Sequence, residues 1–162
     1  LLPLDDVHRG QPGSRDLREN RGGGPGEFLY PIGVTLDATG MLYVCDGLNA
    51  RIQVFDPDGG FVREFGALGD APGSFARPKS VAVDPDGHVY VVDAAFNNVQ
   101  IFEADGRLLL DFGRLGTGPG QLWLPMGISI DGHGRIYVAD RYNGRVQIYR
   151  YLAAGPERDP AR

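Results

Sequence analysis

Apolar residues alternate with small or polar ones in short runs along this chain, and the runs recur in a fixed order. Gly33-Val34-Thr35-Leu36-Asp37 has counterparts in Ser80-Val81-Ala82-Val83-Asp84 and Gly127-Ile128-Ser129-Ile130-Asp131. That alternation is expected of a strand packed tightly on both faces. A glycine-bearing turn follows each run: Ala38-Thr39-Gly40, Pro85-Asp86-Gly87 or Gly132-His133-Gly134. Second strands are predicted at Met41–Val44, His88–Val91 and Arg135–Val138, and third strands at Arg51–Phe55, Asn98–Phe102 and Arg145–Tyr149. After another Asp/Gly turn, Phe61–Phe65 and Arg107–Phe112 read as fourth strands. No 3.6-residue apolar period runs through the chain, so helical repeats are not expected.

The register is rigid. Pro25, Pro72 and Pro119 stand 47 residues apart, and Pro31, Pro78 and Pro125 keep the interval. Asp46, Asp93 and Asp140 keep it too, as do Gln53, Gln100 and Gln147. Four antiparallel strands per unit at this period are what a β-propeller blade requires. The series Pro-x-Gly-h-x-h-Asp, h-Tyr-Val-x-Asp and Asn-x-Arg-h-Gln-h-Phe, with h apolar, resembles the NHL repeat across residues 22–151. The resemblance implies an all-β propeller of four-stranded antiparallel blades, three in this chain, and a ring of six on assembly. It says little about function, since similar repeats serve binding scaffolds, RNA readers and a few lyases.

The units divide the chain into an N-terminal extension (1–23), blade 1 (24–70), blade 2 (71–117), blade 3 (118–152) and a polar tail (153–162). The third unit lacks a fourth strand. Ser14–Glu19 stands in the register of an outer strand but is a poor apolar match, whereas Leu1–Leu4 matches in composition and not in spacing. Either is a candidate donor of the missing strand, and the first residues read as a processed or truncated end. Three blades leave two blade faces that a ring would bury, so a cover is expected. A homodimer completing six blades, or docking in a larger complex, would supply it.

Composition changes this picture little. Glycine (25) and proline (12) exceed a fifth of the 162 residues, as many tight turns demand. The net charge of −5 argues against broad attraction to nucleic acid. One cysteine, Cys45, excludes an intrachain disulfide and is expected to be a buried, inert thiol. No membrane span is visible. The composition leans towards a periplasmic or secreted protein.

Candidate chemistry is sparse. Asp46, Asp93 and Asp140 on equivalent blades could ring a Ca²⁺ ion. They fit better as loop-fixing residues, each near an asparagine (Asn49, Asn97 or Asn143), with Arg51 and Arg145 five positions on in two units. Asp56-Pro57-Asp58-Gly59 and Asp84-Pro85-Asp86-Gly87 lack the further ligands of a calcium loop and read as turns. His88 and His133 are expected as solvent-exposed turn residues, not metal ligands. No nucleophile motif appears, so no catalytic residue, metal or cofactor is assigned.

Binding is the remaining class. The fourth-to-first and second-to-third loops are expected on one face, where residues differ between units while the framework repeats. Trp123, Phe96, Tyr142, Tyr30, Arg77, Lys79, Arg141 and Met126 are the candidates there. Large aromatics beside arginine are the usual anchors of protein interfaces. The sequence thus points to a non-enzymatic protein-binding scaffold acting as a subunit of a homo- or hetero-oligomeric assembly. The alternative is a metal-dependent lyase or hydrolase with its site at the propeller mouth.

Overall fold

The computed structural model describes residues 21–150. Eleven strands form three antiparallel sheets among them, with no helix. The first sheet is β1 (Pro31–Leu36), β2 (Leu42–Asp46), β3 (Arg51–Phe55) and β4 (Phe61–Phe65) in sequence order. The second repeats it with β5 (Pro78–Val83), β6 (Val89–Asp93), β7 (Asn98–Phe102) and β8 (Leu108–Phe112). The third holds β9 (Pro125–Ile130), β10 (Arg135–Asp140) and β11 (Arg145–Arg150). Both segments proposed as strand donors, Leu1–Leu4 and Ser14–Glu19, lie outside the described residues.

The first strand of each sheet begins two residues earlier than the alternation suggests. Pro31, Pro78 and Pro125 pair with Asp46, Asp93 and Asp140 across an irregularity in the ladder. Proline donates no ladder hydrogen bond, so a strand's first residue is a place where it is tolerated.

Each first hairpin is closed by one device. The Asp37 carboxylate accepts the N–H groups of Thr39 and Met41 at 2.8 and 3.0 Å, and Gly40 takes φ +88°. Asp84 and Asp131 accept the corresponding N–H groups of Asp86, His88, His133 and Arg135. A tyrosine hydroxyl from the next strand donates to each carboxylate, at 3.4, 3.0 and 3.1 Å for Tyr43, Tyr90 and Tyr137. Side-chain oxygens here take over backbone donors that a two-stranded ladder leaves unpaired.

The core lies between sheets. Tyr43, Cys45, Ile52, Val54 and Phe65 of the first pack on Phe75, Val81, Val89, Val91 and Phe102 of the second. Tyr90, Val92, Val99 and Ile101 of the second pack on Leu122, Ile136 and Val138 of the third. Close approach needs small residues at defined points. A Cβ at Gly66 (φ +87°) would lie 2.3 Å from Phe75 Cε2, so a side chain there would displace the ring that plugs this junction. The outer sheets bury only one such face each. Val34 and Leu36 on β1, and Val146 and Ile148 on β11, stand exposed.

Candidate functional site

Loops that precede the first strands meet the loops between second and third strands on one face. Gly47 donates to the Tyr30 carbonyl, Ala94 to Arg77 and Tyr142 to Trp123, at 2.9–3.1 Å. Beneath them sits the repeated aspartate. Asp46 accepts the N–H groups of Leu29 and Tyr30 and the Asn49 amide, the last at 2.6 Å. Asp93 accepts four backbone donors, from Ala76, Arg77, Ala95 and Phe96. Asp140 accepts Trp123 N–H at 2.7 Å, the Asn143 amide and Arg145 Nε. All three carboxylates are fully buried. Burial works to raise the Asp140 pKa, but the hydrogen bonds from Asn143, Trp123, Arg145 and Gln147 outweigh it and hold the group below the usual range.

The aspartates therefore turn towards their own loops, and each loop's donors occupy their oxygens. A shared Ca²⁺ ring would need those oxygens free. Arg51 lies 3.6 Å from Asp46 and donates to the carbonyls of Gly23, Gly24 and Glu27 and to Glu64. It is 5% exposed, so it clasps the turn from inside and offers nothing to a ligand on the surface. Arg145 repeats the clasp on Thr117, Gly118 and Gln121.

Asn97 departs from expectation. The position matching Asn49 and Asn143 is Phe96, and Asn97 falls with Ala50 and Gly144 at the left-handed turn position (φ 57°, 51° and 61°). Asparagine tolerates that region. Its Oδ1 accepts Leu124 N–H at 2.9 Å, stitching the second blade's loop to the third's. The role of the repeated glutamines is legible only in three dimensions. Gln53 accepts Gly26 N–H and donates to the Glu27 carbonyl, and Gln100 and Gln147 clip the later Pro-Gly turns likewise. Their strict period was the signal.

On this held framework the candidate residues spread unevenly. Trp123 and Tyr142 stack with ring centroids 5.6 Å apart, and the Arg141 guanidinium lies 5.8 Å from the Tyr142 ring centre. Trp123 is 42% exposed and Tyr142 59%. Tyr30, Arg77 and Met126 are exposed elsewhere on the loops and strand starts, whereas Phe96 and Lys79 are half-buried.

The histidines also differ from expectation. His133 is exposed, but His88 is half-buried with Nδ1 2.9 Å from Asp84 Oδ2. Both line one cavity of ≈ 580 Å³ between the second and third sheets, with Tyr90, Leu109, Leu110 and Arg150. Asp84, Asp86 and His88 bring ligand atoms within 4.8 Å of one another. Asp84 is already engaged by two N–H groups and the Tyr90 hydroxyl, as its counterparts are in the hairpins without that trio. The cluster is a copy of the turn device.

Comparison with known proteins agrees with this architecture. An NHL repeat model matches residues 122–149, and a 6-bladed beta-propeller model (DUF5128) matches residues 32–95. NHL repeat-containing protein 3 of Mus musculus is 52% identical over 44 residues, covering 27% of this chain and 13% of that protein. RING finger protein nhl-1 of Caenorhabditis elegans is 41% identical over 61 residues, covering 38% of this chain and 6% of that one. The matches thus span a small part of these relatives. Virginiamycin B lyase from Staphylococcus aureus superposes with a TM-score of 0.53 at 19% identity, over 76% of this chain and 42% of the lyase chain. At that identity the likeness is one of fold. The 47-residue register, the three sheets and these matches together identify the chain as a run of three β-propeller blades, with an NHL repeat matched in the third.

Proposed function

We propose that the chain is a non-enzymatic scaffold that binds a protein partner through its loop face, as a subunit of an oligomeric assembly. The observation that carries this reading is the exposed Trp123–Tyr142 pair with Arg141 beside it, held at backbone level by the buried Asp140. A rigid aromatic surface beside a guanidinium loses little entropy on docking and buries much apolar area, the character of an interface anchor. The polar side chains beneath that face are committed to loop carbonyls and N–H groups, which leaves them structural work in place of acid–base chemistry. The open end faces of the blade run support a subunit's role, since a second copy or a larger complex would cover them.

Native capture with quantitative mass spectrometry tests the loop face. Trp123→Ala with Tyr142→Ala should lower recovery of a specific partner at least tenfold, while Val62→Ala, at an exposed position on β4 of the first sheet, should not. Equal recovery with the aromatic variant would remove the loop face as the binding site.

A further inference from the structure

We infer that the two end faces of this blade run dock on those of a second copy, so that two chains close a six-bladed ring. The inference rests on the reading of the chain as an assembly subunit and names its partner. Its ground is that the chain already makes the required interface twice. Towards the following blade, the first sheet presents Tyr43, Cys45, Ile52 and Val54, and the second presents Tyr90, Val92, Val99 and Ile101. The third sheet carries Tyr137, Ala139, Val146 and Ile148 in the same register, and among the described residues no further sheet packs on them, Tyr137 meeting only its own hairpin's Asp131 and Arg135. Towards the preceding blade, Val81, Val83, Val89, Val91 and Phe102 correspond to Ile128, Ile130, Ile136, Val138 and Tyr149. The first sheet holds the same series as Val34, Leu36, Leu42, Val44 and Phe55.

On β1 and β11 exposure separates used positions from unused ones, although Val44 and Phe55 of the first sheet's series are themselves buried, Phe55 against Phe28 and Phe61. Val99 and Ile101 are 0% and 4% exposed, whereas Val146 and Ile148 are 62% and 64%. Val81 is 3% exposed and its counterpart Val34 is 66%. The backbone spacing is prepared as well. A Cβ at Gly33 would lie 3.2 Å from Ser80 Cα, so first strands approach closely, and Gly127 keeps that position small at the free end. One end is thus the donor half, and the other the acceptor half, of a junction whose fit is demonstrated within the chain.

For the 162-residue chain on its own, the number of copies follows from closure. Six even blades turn about 60° each, so three fill half a circle and two chains related by a two-fold axis complete it. The six-bladed model that matches residues 32–95 agrees with that count. Both junctions then join unlike faces, and the same substitution disturbs both.

Light scattering of the full 162-residue chain tests this. The expected mass is twice 17.5 kDa, constant with concentration above the dissociation range. Val34→Lys alone and Val146→Glu alone should each lose the dimer while keeping the wild-type far-ultraviolet circular dichroism, because both residues are exposed in the single chain. Mixing the two variants should restore a dimer, since the introduced charges meet at one junction and the other stays wild type. A wild-type mass of 17.5 kDa overturns the inference, as does an open ladder of larger species, a dimer that survives both variants, or a mixture that stays monomeric. A monomer whose partner recovery still falls with the Trp123 and Tyr142 variants would discard the ring and keep the loop-face reading. A dimer insensitive to those variants in partner capture would do the reverse.

Discussion

Asp93→Asn removes a single charge and leaves the side-chain shape almost unchanged, so it isolates what the buried carboxylate contributes. Oδ2 accepts Ala76 N–H at 2.7 Å and Arg77 N–H at 3.0 Å, and Oδ1 accepts Ala95 and Phe96 at 2.9 and 3.1 Å. An amide has one accepting oxygen. Whichever way it turns, its NH₂ group faces two backbone donors that have lost their acceptor. A buried donor left unpaired costs about 1–3 kcal/mol, so two such losses come to about 4 kcal/mol. That is a large fraction of the ~5–15 kcal/mol that holds a typical domain folded. With a urea slope of about 2 kcal/mol/M, the midpoint should fall by about 2 M. Urea titration followed by tryptophan fluorescence reads it, with Asp86→Asn as control. Asp86 sits exposed in a hairpin and donates its N–H to Asp84, and its own change should stay within about 0.5 kcal/mol. A midpoint shift below about 0.5 M for Asp93→Asn would show that water satisfies the loop donors and that the aspartate is not what fixes this face.

Two further outcomes follow from the titrating groups. Asp140 has a folded pKa below its unfolded value of about 3.9, so its contribution is present above that pH and is lost as pH falls through the folded value. The stability gap between wild type and Asp140→Asn should therefore be full at pH 7 and close below about pH 4; a gap that persists in acid would refute the assignment. Burial pushes the Cys45 thiol up to about 12, so it should resist iodoacetamide at pH 8 in the native protein and react once unfolded, as intact-mass analysis would show. Rapid native labelling would mean that the first junction opens readily.

Much of the architecture was legible because a blade is a local object. Its strands pair with sequence neighbours, its turns need glycine and aspartate at set offsets, and repetition multiplies each weak signal. The loop-fixing aspartates were visible for the same reason, since their partners lie within 17 residues. What escaped depended on side-chain direction. Arg51 reads as a loop-fixing partner of Asp46, but its main hold, on the carbonyls of Gly23, Gly24 and Glu27, is not visible in the sequence. Asn97 reads as a loop partner of Asp93 and instead holds the next blade at Leu124. His88 and His133, at non-equivalent positions, meet one cavity because neighbouring blades bring their first hairpins side by side.

The sequence by itself determined the blade, through a period of 47 residues that sets strand order, turn chemistry and the alternation of buried faces. Only the tertiary structure decided which faces are spent and which remain. Val99 and Val146 occupy the same register position, yet one is sealed between sheets and the other faces solvent. Burial belongs to what stands opposite a residue, and a repeat cannot encode its own neighbour at the end of the run.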